Sequence, residues 1–455
     1  MSDFKAQFPE FVGEIFGKFE KAGFKIYVAG GAVRDILTGN IIDDWDFTTN
    51  ATPEQILNLF PDGYYDNQFG TVGIPDASFP HPHEITTFRK EFGYSDTRRP
   101  DKVKWGKTLE EDLSRRDFTV NAMALNSQGE LTDLFHGQED LENKLIRAVG
   151  NPNLRFSEDA LRMMRAARIA AENNFTIEVS TVEAIRQNAT LINKIANERV
   201  KEELFKILSS SHPYEGIVLM REVGLLQQIL PEFEKGFGIE QKSPGRHHIY
   251  DVATHSLLSL KYCESTDPLV RLATLIHDIG KPATYKKLDS GVVTFYNHEI
   301  IGSRMAANIA QRLRFSKDEA QKLFLLVRWH QFTVDERQTD SAIRRFITHV
   351  GKANLKDIID LRVADRLGGG AQATSWRLEE FKNRLIEVQK QPFAIRDLQI
   401  DGNDVMRELN LKPGPEVGKI LEKLFKLVVV KEIPNEKEYL LKELDKYAVS
   451  RDNPT

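Results

Sequence analysis

Apolar and polar positions follow two rhythms along the chain, and the change between them falls near residue 150. Before it, short runs of two-residue period stand between helix-like stretches. Phe8 to Ala22 carries a helical pattern, and Lys25 to Ala29 is an apolar strand running into Gly30-Gly31. Asp44 to Thr48, His83 to Arg89 and Thr119 to Leu125 read as further strands. Thr52-Pro53-Glu54-Gln55 marks a helix start, because a capping threonine, a proline in the first turn and a glutamine three residues on satisfy free N-terminal amides. After Asn151-Pro152 the period becomes helical and remains largely so, with short loops marked by Pro and Gly. The expected fold class is α+β: a mixed sheet with helices at the N-terminus, then an all-α remainder. Breaks at Asn151-Pro152, Ser211 to Pro213 and Gln391-Pro392 divide the 455 residues into segments 1–150, 151–212, 213–390 and 391–455.

Composition bounds the function. With 41% hydrophobic and 28% charged residues the chain reads as globular, and no apolar run approaches the ~20 residues that span a bilayer. The first residues lack the basic start and apolar stretch of a signal peptide. A single cysteine, Cys263, excludes an intrachain disulfide and a cysteine-built zinc cage. The expected location is the cytoplasm, with no membrane partner. A formal net charge of −5 argues against non-specific coating of nucleic acid, which needs concentrated Lys and Arg. Local basic clusters remain open, and one lies on either side of residue 160.

The most informative triplet is Asp44-Trp45-Asp46. Residues two apart on a strand share a face, so the two carboxylates converge while Trp45 and Phe47 turn to the core. Such a pair repels itself unless a cation lies between, and magnesium favours a few carboxylates with phosphates completing its shell. Glu84, in His83-Glu84-Ile85-Thr86-Thr87, would supply a third carboxylate from a neighbouring strand. This set suits two-metal phosphoryl transfer. Upstream, Gly30-Gly31-Ala32-Val33-Arg34-Asp35 leads a strand through two glycines into a helix, where backbone amides approach phosphate and Arg34 would reach a triphosphate.

GGAVRD, DWD, EITTFR, RRDFTVNAMAL and EDALRMMRAAR, in that order, closely resemble the class II CCA-adding tRNA nucleotidyltransferase and bacterial poly(A) polymerase family, within the polymerase β-like superfamily. The specific motifs cover about the first 210 residues, and the likeness continues more loosely to the C-terminus. The resemblance implies a head, neck, body and tail, and template-independent addition of CCA to tRNA from CTP and ATP. It assigns Asp44, Asp46 and Glu84 to catalysis, with magnesium on the aspartates. It gives Gly31, Arg34, Arg116, Asp159, Arg162, Arg165 and Arg168 to nucleotide binding, Asp159 and Arg162 reading the base.

Physical chemistry stands beside that assignment. Ser157 is expected as a helix N-cap, with Glu158 and Asp159 in the favourable first turn. Asp159, Arg162, Arg165 and Arg168 recur every third residue along one side, opposite Leu161, Met164 and Ala167. A carboxylate accepts from cytosine N4 or adenine N6, and a guanidinium donates to cytosine N3 or adenine N1. One pair therefore serves both bases and mismatches guanine and uracil. Glu198-Arg199, followed by Glu202 and Glu203, resembles a motif that braces the neck. Arg115-Arg116-Asp117 offers a phosphate contact at Arg116 and a structural acid at Asp117. The loop Glu91 to Lys104, with Asp96 and Arg98-Arg99-Pro100, resembles one associated with adding the final A, which favours full CCA addition.

Farther along, His255, His277-Asp278 and Asp365 follow an H…HD…D order, with His298 and His330 between. Imidazoles with carboxylates suit a divalent transition metal or a hydrolytic magnesium or manganese centre, and the extra histidines permit two ions. The set resembles an HD-superfamily metal domain, which implies phosphomonoester or cyclic phosphodiester hydrolysis at RNA ends. Competing readings are a poly(A) polymerase, a nucleotidyltransferase adding CC or A alone, and an HD phosphohydrolase whose head merely binds RNA.

Overall fold

The computed structural model describes residues 4–42, 44–67, 70–79, 81–92, 102–241, 250–389, 395–429 and 433–452. Its N-terminal part contains β1 (Ile26–Ala29), β2 (Asp46–Thr49), β3 (Tyr64–Asn67), β4 (Thr71–Ile74), β5 (His83–Thr87), β6 (Arg89–Phe92), β7 (Lys102–Trp105), β8 (Met123–Leu125) and β9 (Leu131–Asp133). Seven of these form one sheet in the order β3-β4-β5-β2-β1-β8-β9, and β6 pairs with β7 as a separate ribbon. β2 and β5 run parallel while the other pairings in the sheet are antiparallel, so the sheet is mixed. The helix Glu10–Lys21 buries Val12, Ile15, Phe16 and Phe19, a helical repeat that forms one apolar stripe. Thr52 caps Pro53–Leu59 as expected: its amide donates to Gln55 Oε1 at 2.8 Å and its hydroxyl accepts from the Gln55 amide at 3.4 Å.

Two local expectations are corrected. The strand expected over Thr119 to Leu125 starts at Met123, because Thr119–Asn121 winds into a 3₁₀ turn. Asp117 Oδ1 sets that turn by accepting from the Phe118 amide at 2.9 Å and Asn121 Nδ2 at 3.2 Å. Ser157 is not a helix cap but sits in the last turn of Pro152–Glu158, where its hydroxyl donates to the Leu154 carbonyl. The cap is Asn151, whose Oδ1 accepts from the amides of Asn153 and Leu154, with Pro152 in the first turn. A second helix, Leu161–Asn173, follows the break, and Asp159 stands at the joint.

From there the chain is mostly helical. A core of buried side chains runs from Val12 to Val388, and a smaller cluster around Val405, Leu424 and Leu444 stands apart from it. The expected break at Gln391-Pro392 lies outside the described residues. Among the described residues no helix is long and apolar enough to cross a membrane.

Candidate active site

Parallel register places Asp46 directly opposite Glu84 on β5. The strand begins at Asp46 rather than Asp44, which is exposed just ahead of it, but the alternation holds: Trp45 and Phe47 are buried. Burial, then the charges of Asp44 and Glu84, push the Asp46 carboxyl up to about 7 against the opposing pull of Arg116 and Arg165. Three acids thus crowd one edge, and the nearby arginines do not offset burial and mutual repulsion at Asp46.

Asp46 and Glu84 border a cavity of ≈ 340 Å³ that also has Gly30, Gly31, Arg116, Asp159 and Arg162 in its wall. Gly30 takes φ +77°, and a Cβ there would stand 3.0 Å from Arg116 Nη1 and 3.6 Å from Asp46 Oδ2. Only glycine suits this turn, and the helix Gly31–Thr38 starts immediately after it. Arg116 is fixed by Asp112, a fully buried acid whose Oδ2 accepts from Arg116 Nη2 at 3.1 Å and from Thr48 on β2 at 3.1 Å. Asp112 Oδ1 accepts from Arg115 Nε at 3.0 Å. Burial opposes ionisation of Asp112, but Arg115 and Arg116 outweigh it and bring its carboxyl down to about 2.

The arginines expected on one helix face divide. Arg165 donates through Nε to Asp117 Oδ2 at 2.7 Å and lines the cavity. Arg162 does the latter too, held by Glu158 at 2.9 Å and the Arg115 carbonyl at 3.1 Å. Asp159 accepts from the Leu161 amide at 3.0 Å, and its ion pair is with Arg199 at 3.6 Å. Arg168 does not line the cavity; it pairs with Glu203 at 2.9 Å and Glu172 at 3.1 Å, joining two neck helices. Arg34 donates to Asn121 Oδ1 at 3.0 Å and Asp35 Oδ1 at 3.1 Å, so it stands behind Gly31 rather than in the cavity wall. Asp96, Arg98 and Arg99 lie outside the described residues.

The second group is assembled by five helices and the turns that end or start them. His255 comes from Val252–Lys261, His277 and Asp278 follow Pro268–Ile276, His298 opens His298–Arg312, His330 ends Lys317–Trp329, and Asp365 lies in Leu355–Gly368. Two sets suited to metal ligation result: His255, His277 and Asp365, and Asp278, His298 and His330, each with ligand atoms within 4.8 Å. Asp278 faces both. Its Oδ2 lies 3.2 Å from His277 Nε2 and 3.6 Å from His255 Nε2, and its Oδ1 lies 3.3 Å from His298 Nε2 and 3.6 Å from His330 Nε2. The Nδ1 atoms of His277, His298 and His330 sit 2.8, 2.9 and 2.7 Å from the carbonyls of Thr274, Phe295 and Val327. Those contacts engage Nδ1 and turn each Nε2 inward, toward Asp278. Although burial resists it, His277 and Lys281 hold the Asp278 carboxyl well below the usual range. Gly280 makes the crowding feasible: a Cβ there would meet the His298 carbonyl at 2.1 Å.

Three family models match: the Poly A polymerase head domain over residues 26–147, the RNA and SrmB-binding site of polymerase A over 174–237, and tRNA nucleotidyltransferase domain 2 over 298–444. A "CCA-adding enzyme" of Ligilactobacillus salivarius is 34% identical over 440 residues, covering 95% of each chain. The chain belongs to the CCA-adding enzyme family. A CCA-adding enzyme of Pediococcus pentosaceus is 32% identical over 433 residues, covering 95% of this chain and 96% of that one. The crystal structure of the Bacillus stearothermophilus CCA-adding enzyme in complex with CTP shares the fold with TM-score 0.66 and 26% identity, over 97% of this chain and 98% of that one. A Thermotoga maritima CCA-adding enzyme complexed with tRNA has the same fold, with TM-score 0.60 and 20% identity over 96% and 95% of the two chains. In this member of the CCA-adding enzyme family, sequence reasoning missed Arg89, Arg115 and Asn121 in the cavity wall, and Asp112 behind it. Arg115 was legible as part of its charged triplet, whereas Asp112 becomes visible only once burial is known.

Proposed function

We propose that the chain adds C, C and A to the 3′ end of tRNA from CTP and ATP without a nucleic-acid template. The observation that carries this is Asp46 opposite Glu84, with Asp44 just ahead on the chain, at a cavity whose wall also holds Asp159 and Arg162. Asp44, Asp46 and Glu84 fit magnesium, since burial and mutual repulsion leave Asp46 in want of a cation. Bound there, such ions stabilise the attacking and leaving oxygens of an in-line displacement. The tRNA 3′-oxygen forms a bond to the α-phosphorus, the bond to pyrophosphate breaks, and the hydroxyl proton passes to solvent water. Arg116 and the amide of Gly31 offset the triphosphate charge; Arg165 and, through Asn121, Arg34 keep that wall in place. Asp159 accepts from the base amino group and Arg162 donates to the ring nitrogen, selecting C and A. Arg168 acts through the neck by its Glu203 pair. The helical body would grip the acceptor region of the tRNA.

A tRNA ending at its discriminator base, incubated with CTP and ATP separately and together, tests this. Three defined additions are expected. An unlimited A tail points to a poly(A) polymerase, and additions stopping at CC or at A point to a partial enzyme.

A second activity is favoured by a separate observation, the two ligand sets that share Asp278. His255, His277 and Asp365 would hold one divalent ion and His298 with His330 another, a transition metal or magnesium. Such ions supply Lewis acidity toward a phosphoryl oxygen and acidify water. Hydrolysis would join a water oxygen to phosphorus, break the ester P–O bond and protonate the leaving alcohol. Release of phosphate from nucleoside 3′-phosphates, or opening of 2′,3′-cyclic phosphates, is expected of the native chain and is lost in His277→Ala.

A further inference from the structure

The histidine–aspartate cleft carries an aromatic ring that the fold does not use. Tyr296 lines this cleft and is 76% exposed. Its side chain makes no hydrogen bond or ring contact with another described residue. Phe295, one position earlier, is packed instead: its ring stands 5.9 Å from that of Tyr285, and the Lys281 ammonium lies 5.4 Å from its centre. The mount is rigid, because the Phe295 carbonyl faces both the His298 amide at 3.2 Å and His298 Nδ1 at 2.9 Å. Asn297 turns the chain at φ +62° directly into the helix His298–Arg312. The turn that aims a ligand histidine therefore also holds Tyr296 at the mouth of the cleft.

Three cations stand in the same wall. Lys281 is matched to Asp278 at 2.5 Å and Arg362 to Asp365 at 3.0 Å. Arg366 donates to neutral carbonyls, Gln372 at 3.0 Å and Thr374 at 3.2 Å, and has no carboxylate partner among the described residues. Its charge remains available to an anion. The cleft, ≈ 740 Å³, is of the size that encloses a small organic ligand.

A free ring and a guanidinium without a carboxylate partner, both in the wall of a cleft that holds the histidine–aspartate centre, fit a nucleoside phosphate. Any base offers a π-face to the phenol, and phosphate oxygens offer acceptors to the guanidinium. We propose that Tyr296 is the base-stacking residue of this cleft and Arg366 its anion anchor, so that nucleoside phosphates are taken in preference to phosphate esters without a base. The assignment rests on the hydrolytic reading of the site.

The experiment uses the full chain with manganese. It compares kcat/KM for adenosine 3′-phosphate against ribose 3-phosphate, and for adenosine 2′,3′-cyclic phosphate against glycerol 1,2-cyclic phosphate. The native chain is expected to prefer the nucleotides. Tyr296→Ala should lose about tenfold of that preference through a higher KM, and Tyr296→Phe should keep it. An unchanged preference in Tyr296→Ala, or no preference at the outset, overturns this assignment and leaves the hydrolytic reading intact. Absence of hydrolysis of all four esters, or equal hydrolysis by His277→Ala, overturns the hydrolytic reading and the assignment with it.

Discussion

Asp46 is a carboxylate that folding makes harder to ionise, since its pKa rises from 3.8 to about 7 through burial and then the charges of Asp44 and Glu84. The raised value means that its protonated form is favoured in the folded chain. Its contribution to stability is complete below the ordinary value and is lost as pH rises through about 7. A divalent cation needs the charged form, so the two effects oppose each other. Magnesium affinity of the head should therefore climb between pH 6 and pH 8 and level off above; titration calorimetry at the two values checks it, and a flat profile contradicts it. Asp112 behaves in the opposite sense. Its carboxyl is held at about 2 by Arg115 and Arg116 despite burial, so its contribution is present above 3.8 and lost as pH falls through about 2. Asp112→Ala removes the buried carboxylate that Arg115 and Arg116, both in the cavity wall, share, and should cost about 3–5 kcal/mol in denaturant unfolding at pH 7. A loss below about 1 kcal/mol would show that solvent replaces the acid.

Elements were legible where one local signal acted alone. The strand alternation around Asp46 and the capping box at Thr52 are such cases, and both are present in the fold. The neck was harder because two start signals compete over eight residues. Ser157-Glu158-Asp159 looks like a cap with an acidic first turn, but Asn151-Pro152 starts a helix earlier and consumes Ser157 in its last turn. The histidines of the second cluster could be read in order, whereas the way Asp278 faces both sets depends on helix packing that no spacing encodes. That packing hinges on Gly280. In Gly280→Ala the added methyl would meet the His298 carbonyl, so the helix His298–Arg312 must move away from Asp278. Manganese binding by the histidine cluster should fall at least tenfold in equilibrium titration; unchanged affinity would mean that the two segments can separate without disturbing the ligands.

At the scale of the molecule, one core joins the sheet, the neck and the helical body, while the C-terminal helices close around a core of their own. The two candidate centres share no residue: carboxylates on β2 and β5 serve one, and helix-borne histidines with Asp278 and Asp365 serve the other. The head thus stands or falls by its own acids. The most direct measurement is nucleotide incorporation into a tRNA that lacks its terminal CCA, comparing the native chain with Asp44→Asn/Asp46→Asn. Asparagine keeps the shape and removes the charge, so the variant should fold with unchanged or higher thermal stability and lose incorporation by more than about a thousandfold. Incorporation at the native rate by that folded variant would contradict the account.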